Sequence, residues 1–535
     1  MNRKAQFEKI LLQQRYDVCI IGGGATGAGI ALDAQKRGLS VILIDKGDFG
    51  GQTSSKSTKL IHGGVRYLEQ AFKKLDWAQL KMVYKALHER NILLKNAPHL
   101  SRKLNLITPC KNIIEAVYFT FGLKMYDWLA GKNKLEKSQW LNKKQTLEQV
   151  KELNPQKTHS SVIYSDGQFD DARYCLSIIQ TAEKLGATVL NYAEILGFNE
   201  TNISENKNIG KLKALTFLDK ITLSQHQISA KVFINATGPF GDVIRKMANP
   251  KLQNRIKVSR GAHIILAREV MQSSSAILIP KTKDGRVIFM IPWQDQLLVG
   301  TTDEPDVLTD SPEILEEERD YLLQYANEYL NKKLTKKDIK SSFVGQRPLI
   351  QPILDKTIQA ETKSLVRDHE VEIDHRSKLV SVLGGKWTTY RLMAKDALDQ
   401  IYKEIWHKKA VACSTENQLL FGAENYNFEE WKDLKTQYPI SEFTAQHLLK
   451  KYGCKANEVL QLGKTDATLF EILSENQPFI KAEIKYTILN EMATNIDDIM
   501  YRRLGLGFRD HSAIDNCKKF IEQCFSELTI AQCEG

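Results

Sequence analysis

VCIIGGGATGAG, residues 18–29, is an apolar segment that runs directly into a glycine-rich turn. The residues that follow, 30–34, have a helical pattern, and a second apolar segment, 41–44, ends at Asp45. This acid stands 18 residues after Gly27, the third glycine of the G-x-G-x-x-G pattern. The order of strand, glycine turn, helix, strand and acid predicts a βαβ unit that binds a dinucleotide.

Each glycine of the pattern has its own physical task. Gly22 permits the tight turn, Gly24 lets the backbone approach a pyrophosphate, and Gly27 lets the helix pack on the strand. The first N–H groups of the helix then face the anion, and Asp45 is placed to accept the ribose hydroxyls. Glycine-rich loops also serve as plain turns, but the complete context favours a cofactor site. We expect contacts from Gly22, Gly24, Ala25, Thr26, Gly27, Asp45 and Lys46.

Length and composition set limits on the class of protein. With 535 residues, 42% of them hydrophobic and 26% charged, the chain can bury more than one core, so we expect two or three globular domains. Residues 1–15 lack the apolar region of a secretion signal, and the apolar window 113–130 is interrupted by charges. The sequence therefore predicts neither a signal peptide nor a spanning helix.

The cysteines and the net charge leave several partners open. The eight cysteines include no C-x-x-C pair, which favours free thiols in a reducing cytosol. A net charge of +11 suits nucleic acid, an anionic membrane surface or anionic small substrates. We find no basic stripe interleaved with aromatic residues, so we do not expect nucleic-acid binding.

Short apolar runs alternate with amphipathic helical stretches up to about residue 400, which predicts a mixed α/β fold. The clearest strands are 231–235, 286–291 and 296–300. One helix is predicted from an N-cap at Ser311 and Pro312 at its first position, with Leu322, Tyr325, Ala326 and Tyr329 on its packing face. Further on, 441–453 and 478–500 look helical, and we expect a separate α-helical domain from about residue 410.

A second concentration of functional residue types follows the βαβ unit. Residues 51–67, GQTSSKSTKLIHGGVRY, combine hydroxyls, glycines and cations. Such a run can wrap a cofactor, with Gly63 and Gly64 against a flat ring and Arg66 reaching into the site, although an ordinary solvated loop has the same composition. NATG at 235–238 and GGKWTTYR at 384–391 are further glycine turns at predicted strand ends, where α/β sheets bind ligands.

These motifs together resemble the FAD-dependent, quinone-reducing glycerol-3-phosphate dehydrogenases, nearly from end to end. The matching segments are STKLIHGGVRYL at 57–68, ALHER at 86–90, APHL at 97–100, NATGP at 235–239, GTTD at 300–303, RPL at 347–349 and GGKWTTYR at 384–391. KLDW at 74–77 and the HGGV spelling are more similar to the mitochondrial branch. That branch continues into calcium-binding loops, but the chain has no D-x-D-x-D-G pattern, so calcium regulation is not expected.

The resemblance implies an FAD-binding Rossmann-like domain of the glutathione-reductase and amino-acid-oxidase type, with a mixed-sheet substrate domain. The two are interleaved over residues 1–410. FAD-binding segments are expected at about 15–72, 160–245 and 340–400, and substrate-domain segments at about 73–159 and 246–339. Residues 411–535 are expected to form the α-helical C-terminal domain. FAD is expected to be bound noncovalently, although the position of His62 beside the ring-facing glycines also allows a covalent link.

The same resemblance assigns site residues. The polar lining over the flavin comprises Arg66, His263, Arg347, Arg367 and Lys386, with Tyr67 also at the substrate. Forked guanidinium groups suit the phosphate of glycerol 3-phosphate, so Arg347 and Arg367 are the expected clamps, assisted by Arg66. His263 is the expected base for the C2 hydroxyl, with a pKa near ~6.5, and Lys386 is the alternative. Additional FAD contacts are expected from Thr53, Ser54, Ser55, Lys59, His62, Gly63, Gly64, Ala236, Thr237, Gly238, Gly385, Lys386, Thr388 and Thr389.

The expected reaction is oxidation of sn-glycerol 3-phosphate to dihydroxyacetone phosphate, with electrons passed to ubiquinone or menaquinone. The chain would then work in the cytoplasm, peripherally on the inner face of the membrane, where the apolar and basic segment 113–137 is the candidate contact with anionic lipid. A core helix would have the same composition. A glycerol-phosphate oxidase, an amine or amino-acid oxidase and a flavin-carrying nucleic-acid-binding protein are the alternatives, and a homodimer is left open.

Overall fold

The computed structural model describes residues 1–13, 15–64, 77–200, 211–351 and 369–533. The strands are β1 (Tyr16–Ile21), β2 (Val41–Ile44), β3 (Leu60–Ile61), β4 (Ser101–Cys110), β5 (Gln139–Asn142), β6 (Ser160–Phe169), β7 (Thr188–Leu190), β8 (Ala193–Glu200), β9 (Leu212–Asp219), β10 (Gln225–Asn235), β11 (Ile256–Ala267), β12 (Ala276–Ile279), β13 (Ile288–Trp293), β14 (Gln296–Gly300), β15 (Glu304–Pro305), β16 (Ile339–Ile350), β17 (His369–Ile373) and β18 (Val380–Gly384).

The α-helices are α1 (Arg3–Leu12), α2 (Ala25–Lys36), α3 (Trp77–Asn96), α4 (Ile113–Ala130), α5 (Lys143–Gln149), α6 (Asp171–Lys184), α7 (Gly241–Ala248), α8 (Glu316–Tyr329), α9 (Tyr390–Gln400), α10 (Trp431–Gln437), α11 (Glu442–Tyr452), α12 (Ala456–Gln461), α13 (Lys481–Asn490), α14 (Leu506–Arg509) and α15 (Ser512–Cys533). A π-helical turn, Asp498–Arg503, precedes α14. The predicted mixed α/β class is confirmed.

The first sheet has eight strands, and its centre is parallel in the order β18, β10, β1, β2, β7. β1 and β2 are buried along nearly their whole length, and α2 packs against α6 and α9. Coverage of both faces explains why these strands are unbroken apolar runs. The strands β1, β2, β10 and β18 end just before Gly22, Asp45, Ala236 and Gly385, so these four residues meet at one edge of the sheet.

The second sheet has ten strands and is mostly antiparallel. Helix α8 packs on one face of it, and α4, together with α3, packs on the other. Two of its strands are β6 and β16, which occupy residues 160–169 and 339–350. The resemblance implied that residues 160–169 and 340–350 belong to the FAD-binding segments, whereas the structure hydrogen-bonds them into the second sheet.

The predicted start of helix α8 is wrong, although its packing face is correct. Leu322, Tyr325, Ala326 and Tyr329 are buried as expected, but the helix begins at Glu316 and not at Pro312. The reason is tertiary: Asp310 pairs with the Lys46 ammonium, and its carbonyl accepts a hydrogen bond from the Gln52 side chain. Residues 310–313 are thereby held in the wall of a cavity instead of starting the helix.

The described residues after 410 contain helices and turns around two apolar cores. The prediction at 441–453 is confirmed by α11, whose N-cap Ser441 accepts the Thr444 N–H. The helix predicted over 478–500 is instead interrupted between α13 and the π-helical turn. None of the helices in the described ranges combines the length and the apolarity that a membrane crossing requires.

Candidate functional site

A cavity of about 650 Å³ lies at the edge where the parallel strands of the first sheet end. Its walls include most of the residues predicted to hold the cofactor: Gly22, Gly24, Ala25, Thr26, Asp45, Lys46, Thr53, Ser54, Ser55, Ala236, Thr237, Gly238, Gly385 and Lys386. This is the edge of an open α/β sheet at which ligands bind. We call it the sheet-edge cavity.

Close contacts in the structure require glycine at two positions of the turn. Gly22 has a φ of +107°, and a Cβ there would lie 2.6 Å from the Ala236 carbonyl oxygen. A Cβ on Gly27 would lie 1.8 Å from the Gly22 carbonyl oxygen. Gly27 therefore stands behind the turn, where it lets α2 approach β1. Gly24 is the N-cap of α2, so the first N–H groups of that helix point toward the cavity as an anion site requires.

Asp45 ties the end of β2 to the glycine turn. One carboxylate oxygen accepts the Gly23 N–H at 2.6 Å, and the other accepts the Gly47 N–H at 2.8 Å. Burial raises the pKa of this carboxyl group to about 6, against the opposing effect of these two amides. Each oxygen retains a second lone pair for a ribose hydroxyl, so the arrangement fits the predicted role.

The segment after residue 51 folds over both cavity and sheet. The Ser54 hydroxyl accepts the Ala25 N–H at 3.0 Å, and the Ser54 carbonyl accepts the indole N–H of Trp387 at 2.9 Å. Thr53 donates to the Gln346 carbonyl. Lys59, by contrast, is buried, and its ammonium lies 2.5 Å from Asp171 and 2.6 Å from the Ser55 carbonyl. The structure places Lys59 in the packing beneath the cavity wall.

A second cavity, of about 580 Å³, meets the first. The two share Thr53, Lys56, Pro348, Gly385, Lys386 and Trp387 in their walls. A ligand that spans the junction would therefore be contacted from both sides. Lys56 and Trp387 were not predicted as site residues, although both stand inside the quoted motifs, because sequence spacing gives no sign of which residues of a loop turn inward. We call this space the junction cavity.

His263 lines the junction cavity from strand β11. Its Nε2 lies 3.0 Å from the Thr58 hydroxyl, and its ring stacks on Phe343 with centroids 4.8 Å apart. A Cβ on Gly300 would lie 2.2 Å from the ring, so only glycine fits there. Burial lowers the pKa of His263 well below its usual value, and Arg347 lowers it further. The imidazole is therefore neutral at neutral pH, which is the form that can accept a proton.

Arg347 reaches the same cavity from strand β16. Its guanidinium donates to the Arg260 carbonyl at 3.0 Å and to the Thr301 hydroxyl at 2.8 Å, and lies 3.4 Å from Asp303. A Cβ on Gly261 would lie 2.1 Å from the guanidinium, so this glycine makes room for it. These contacts fix the plane of the guanidinium group. About a quarter of the Arg347 side chain is exposed.

Some of the remaining predicted residues line the junction cavity, and others hold its wall in place. Lys386, His62, Gly64 and Thr388 line the junction cavity. The Gly63 N–H donates to the buried Tyr126 hydroxyl at 2.8 Å, and the Thr389 hydroxyl donates to the Lys386 carbonyl at 3.2 Å. Gly63 and Thr389 therefore hold the wall in place. Three predicted substrate residues, Arg66, Tyr67 and Arg367, lie outside the described residues.

One arm of the junction cavity is apolar and leads to helix α4. Its lining there includes Leu106, Phe119, Leu123, Met125, Leu278 and Phe289. Tyr118 and Phe121, both on α4, also line it, and they are 46% and 67% exposed. The cavity thus connects the polar end, at His263 and Arg347, with an exposed aromatic surface.

Comparison with known proteins identifies the family. Residues 17–391 match the model of FAD-dependent oxidoreductases, and residues 413–529 match the C-terminal domain of alpha-glycerophosphate oxidase. The chain is 38% identical over 500 residues to a probable mitochondrial glycerol-3-phosphate dehydrogenase of Dictyostelium discoideum, covering 92% of the chain and 78% of that protein. The chain belongs to the FAD-dependent glycerol-3-phosphate dehydrogenase family.

Other relatives agree. The mitochondrial glycerol-3-phosphate dehydrogenase of Arabidopsis thaliana is 39% identical over 515 residues, with 93% of the chain and 80% of the relative covered. The solved structure of the Bacillus halodurans glycerol-3-phosphate dehydrogenase complexed with FAD is 28% identical, with a TM-score of 0.76 over 98% of the chain and 94% of the relative. FAD is therefore the cofactor, and the sheet-edge cavity has the glycines, helix terminus and acid to hold it.

Proposed function

We propose that this family member oxidises sn-glycerol 3-phosphate to dihydroxyacetone phosphate at the junction cavity. The observation that carries the proposal is the convergence of His263, Arg347 and Lys386 on a cavity that meets the sheet-edge cavity. Such a site can hold a small anionic alcohol against the cofactor. The family's named members supply the choice of substrate, and the chemistry of the wall agrees with it.

Arg347 is the proposed phosphate clamp. Its fork is held by Thr301 and by the Arg260 carbonyl, so little side-chain freedom remains to be lost when a phosphate binds. Arg66 and Arg367 remain the other proposed clamps. Bidentate contacts from guanidinium groups are the strong way to hold a phosphate dianion.

His263 is the proposed acceptor of the C2 hydroxyl proton. When bound, FAD supplies the hydride acceptor, and the protein must remove the hydroxyl proton at the same centre. The neutral imidazole that burial produces is ready to accept it, and the Thr58 hydroxyl at 3.0 Å fixes its orientation. Lys386 is the alternative base, and it lines both cavities.

We further propose that electrons leave to a membrane quinone. The apolar arm of the junction cavity suits a quinone ring, and it ends at Tyr118 and Phe121 on the surface of α4. Along that helix Ile114, Val117 and Trp128 are also exposed, at 77%, 63% and 77%. An exposed apolar patch of this kind marks a contact surface.

The neighbouring charges favour anionic lipid as that contact. Lys132 and Lys137 are exposed just beyond α4, and Lys134 is partly exposed. Each lysine near an anionic surface contributes about 1 kcal/mol. The chain would accordingly attach peripherally, with the open end of the apolar arm facing the lipid.

One spectroscopic experiment tests the substrate. Under anaerobic conditions, glycerol 3-phosphate should bleach the flavin absorbance of the holoenzyme, whereas glycerol at the same concentration should not. Failure of glycerol 3-phosphate to bleach the flavin would refute the proposed reaction. Steady-state assays then separate the acceptors: quinone-analogue reduction without stoichiometric peroxide supports the dehydrogenase, and stoichiometric peroxide supports the glycerol-phosphate oxidase.

Cosedimentation with vesicles tests the membrane surface. Binding should need anionic lipid, weaken with salt, and fall when Trp128, Lys132, Lys134 and Lys137 are replaced. A matched control removes the exposed Lys333, Lys337 and Lys340, which lie far along the chain near β16. Equal loss of binding in both variants would show that only net charge matters, and unchanged binding in the first would place the contact elsewhere.

A further inference from the structure

The C-terminal helices contribute directly to the FAD site, although the FAD-dependent oxidoreductase match ends at residue 391. The wall of the sheet-edge cavity includes Asp497, Tyr501, Arg502 and Phe508. These residues come from the π-helical turn, from the residue before it and from α14. A region outside the general oxidoreductase fold therefore closes one side of the cofactor cavity.

A buried ion cluster fastens this region to the loop after β2. Both terminal nitrogens of Arg503 contact the Asp48 carboxylate, at 2.6 and 2.8 Å, and the Nε of Arg502 contacts it at 2.6 Å. Asn191 adds a fourth donor at 3.2 Å. Asp48 is 4% exposed and Arg503 is 1% exposed. Burial alone would raise the pKa of Asp48, but the two arginines hold it at about 2.

Asp48 stands only three positions after Asp45, the cofactor-binding acid. Asp45 accepts the Gly23 and Gly47 N–H groups, and the Gly50 N–H donates to the Gly23 carbonyl at 3.0 Å. The loop 45–50 and the glycine turn therefore form one hydrogen-bonded unit. Arg502 and Arg503, which belong to the C-terminal region of the chain, bind this unit at Asp48.

We propose that Arg502 and Arg503 are positioning residues for FAD: by fixing Asp48 they fix the Asp45 loop, and docking of the C-terminal helices is thermodynamically coupled to cofactor binding. Coupling of this kind is reciprocal. FAD should therefore strengthen the docking of the helices, and intact docking should strengthen FAD binding. The cofactor would be released when the helices move away from the loop.

A pair of double variants tests the coupling. Asp48→Asn/Arg503→Met removes both charges of the central ion pair, and Arg502 keeps its ion pair with Asp498. The control, Glu89→Gln/Arg391→Met, removes a buried ion pair, at 2.5 Å, that joins α3 to the start of α9 and lines neither cavity. Both apoproteins are titrated with FAD by fluorescence, and their urea midpoints are measured.

We expect the FAD Kd to rise at least about tenfold in the first variant and to change less than about twofold in the control, with comparable losses of stability. A Kd that changes equally in both, or in neither, would overturn the proposal, because the cluster would then be purely structural. Arg503→Lys keeps the charge but loses the fork, so it should have an intermediate Kd. A Kd for Arg503→Lys as high as that of the double variant would also count against a graded positioning role.

Hydrogen exchange on the wild-type protein covers the case in which the variant fails to fold. Adding FAD to the apoprotein should slow exchange of the amides in residues 497–508. The amides of α12, which packs inside the C-terminal core, should not change. Absence of slowing at 497–508 would refute the coupling.

Discussion

The affinity for FAD should depend on pH through Asp45. Burial raises the pKa of this carboxyl group to about 6 in the protein without cofactor. The ribose hydroxyls donate hydrogen bonds, so they favour the ionised carboxylate, and binding must lower this pKa. By linkage, the affinity is then highest above pH 6 and is lost as the pH falls through 6.

The size of the effect follows from that pKa. At pH 5, about one carboxyl group in eleven is ionised if its pKa is 6. If only the ionised form binds FAD productively, the Kd at pH 5 should be about tenfold higher than at pH 7.5, equivalent to about 1.4 kcal/mol. At pH 6 the Kd should rise only about twofold.

Fluorescence titration of the apoprotein with FAD at pH 5, 6 and 7.5 measures this dependence. Asp45→Asn is the control, because its amide accepts hydrogen bonds but does not titrate. It should bind FAD more weakly at pH 7.5 and vary little down to pH 5. A wild-type Kd that is equal at pH 5 and pH 7.5, or an Asn variant with the same pH dependence as wild type, would refute the assignment.

Four other changes have definite expected outcomes. Gly27→Ala should abolish FAD binding, because its Cβ would lie 1.8 Å from the Gly22 carbonyl oxygen, whereas Gly197→Ala, with open space around the Cβ, should bind FAD normally in the same titration. Lys59→Met should cost roughly 3–5 kcal/mol in urea unfolding, because it leaves Asp171 buried and unpaired; a loss of FAD affinity without a loss of stability would restore Lys59 as a cofactor contact. Arg347→Ala should lower kcat/KM for glycerol 3-phosphate by a factor equivalent to about 2–5 kcal/mol of transition-state stabilisation. An equal loss for glycerol would show that the residue does not act on the phosphate. His263→Asn should slow flavin reduction by ~10²–10⁴-fold and remove an acid limb from the pH profile; an unchanged rate would transfer the role to Lys386.

The position of that acid limb corrects an expectation from the sequence. An ordinary histidine titrates near pH ~6.5, and nothing in the residues around His263 along the chain predicts a different value. In the structure burial lowers the pKa of His263 well below that value. The limb of the free enzyme should accordingly lie on the acid side of neutrality, and a phosphate dianion beside the ring would move it back upward.

Local patterns predicted those parts of the fold that are set by local physics. The glycine turn and Asp45 were predictable because backbone geometry and a single acid define the βαβ unit. The start of α8 was not, because the competition between an N-cap at Ser311 and the contacts of Asp310 is decided by the distant Lys46 and Gln52. The prediction of one continuous helix over 478–500 failed for a similar reason. Arg502 and Arg503 of the π-helical turn form ion pairs with Asp48, which is distant in sequence.

The site residues show the same difference between features set by local sequence and features set by distant contacts. Residues within the motifs, such as Thr53 and Lys386, were predicted and line the cavities. Lys59 stands in the same motif, but its ammonium is used by Asp171 on α6, which is distant in sequence. Tyr501 and Arg502 carry no local pattern that indicates a cofactor. Their role depends on how the C-terminal helices dock, and spacing along the chain contains no information about docking.

Strand register explains why His263 and Arg347 reach one cavity. β11 and β16 are antiparallel, with His263 opposite Phe343 and Ser259 opposite Arg347. Residues four apart on a strand share a face, and directly opposed residues point to the same side, so His263 and Arg347 lie on one face of the sheet. The intervening positions, including Ala262 and Val344, are buried against α8 on the other face. A slip of one residue would turn either side chain into that core, so the apolar alternation that fixes the register also holds the proposed base and clamp together.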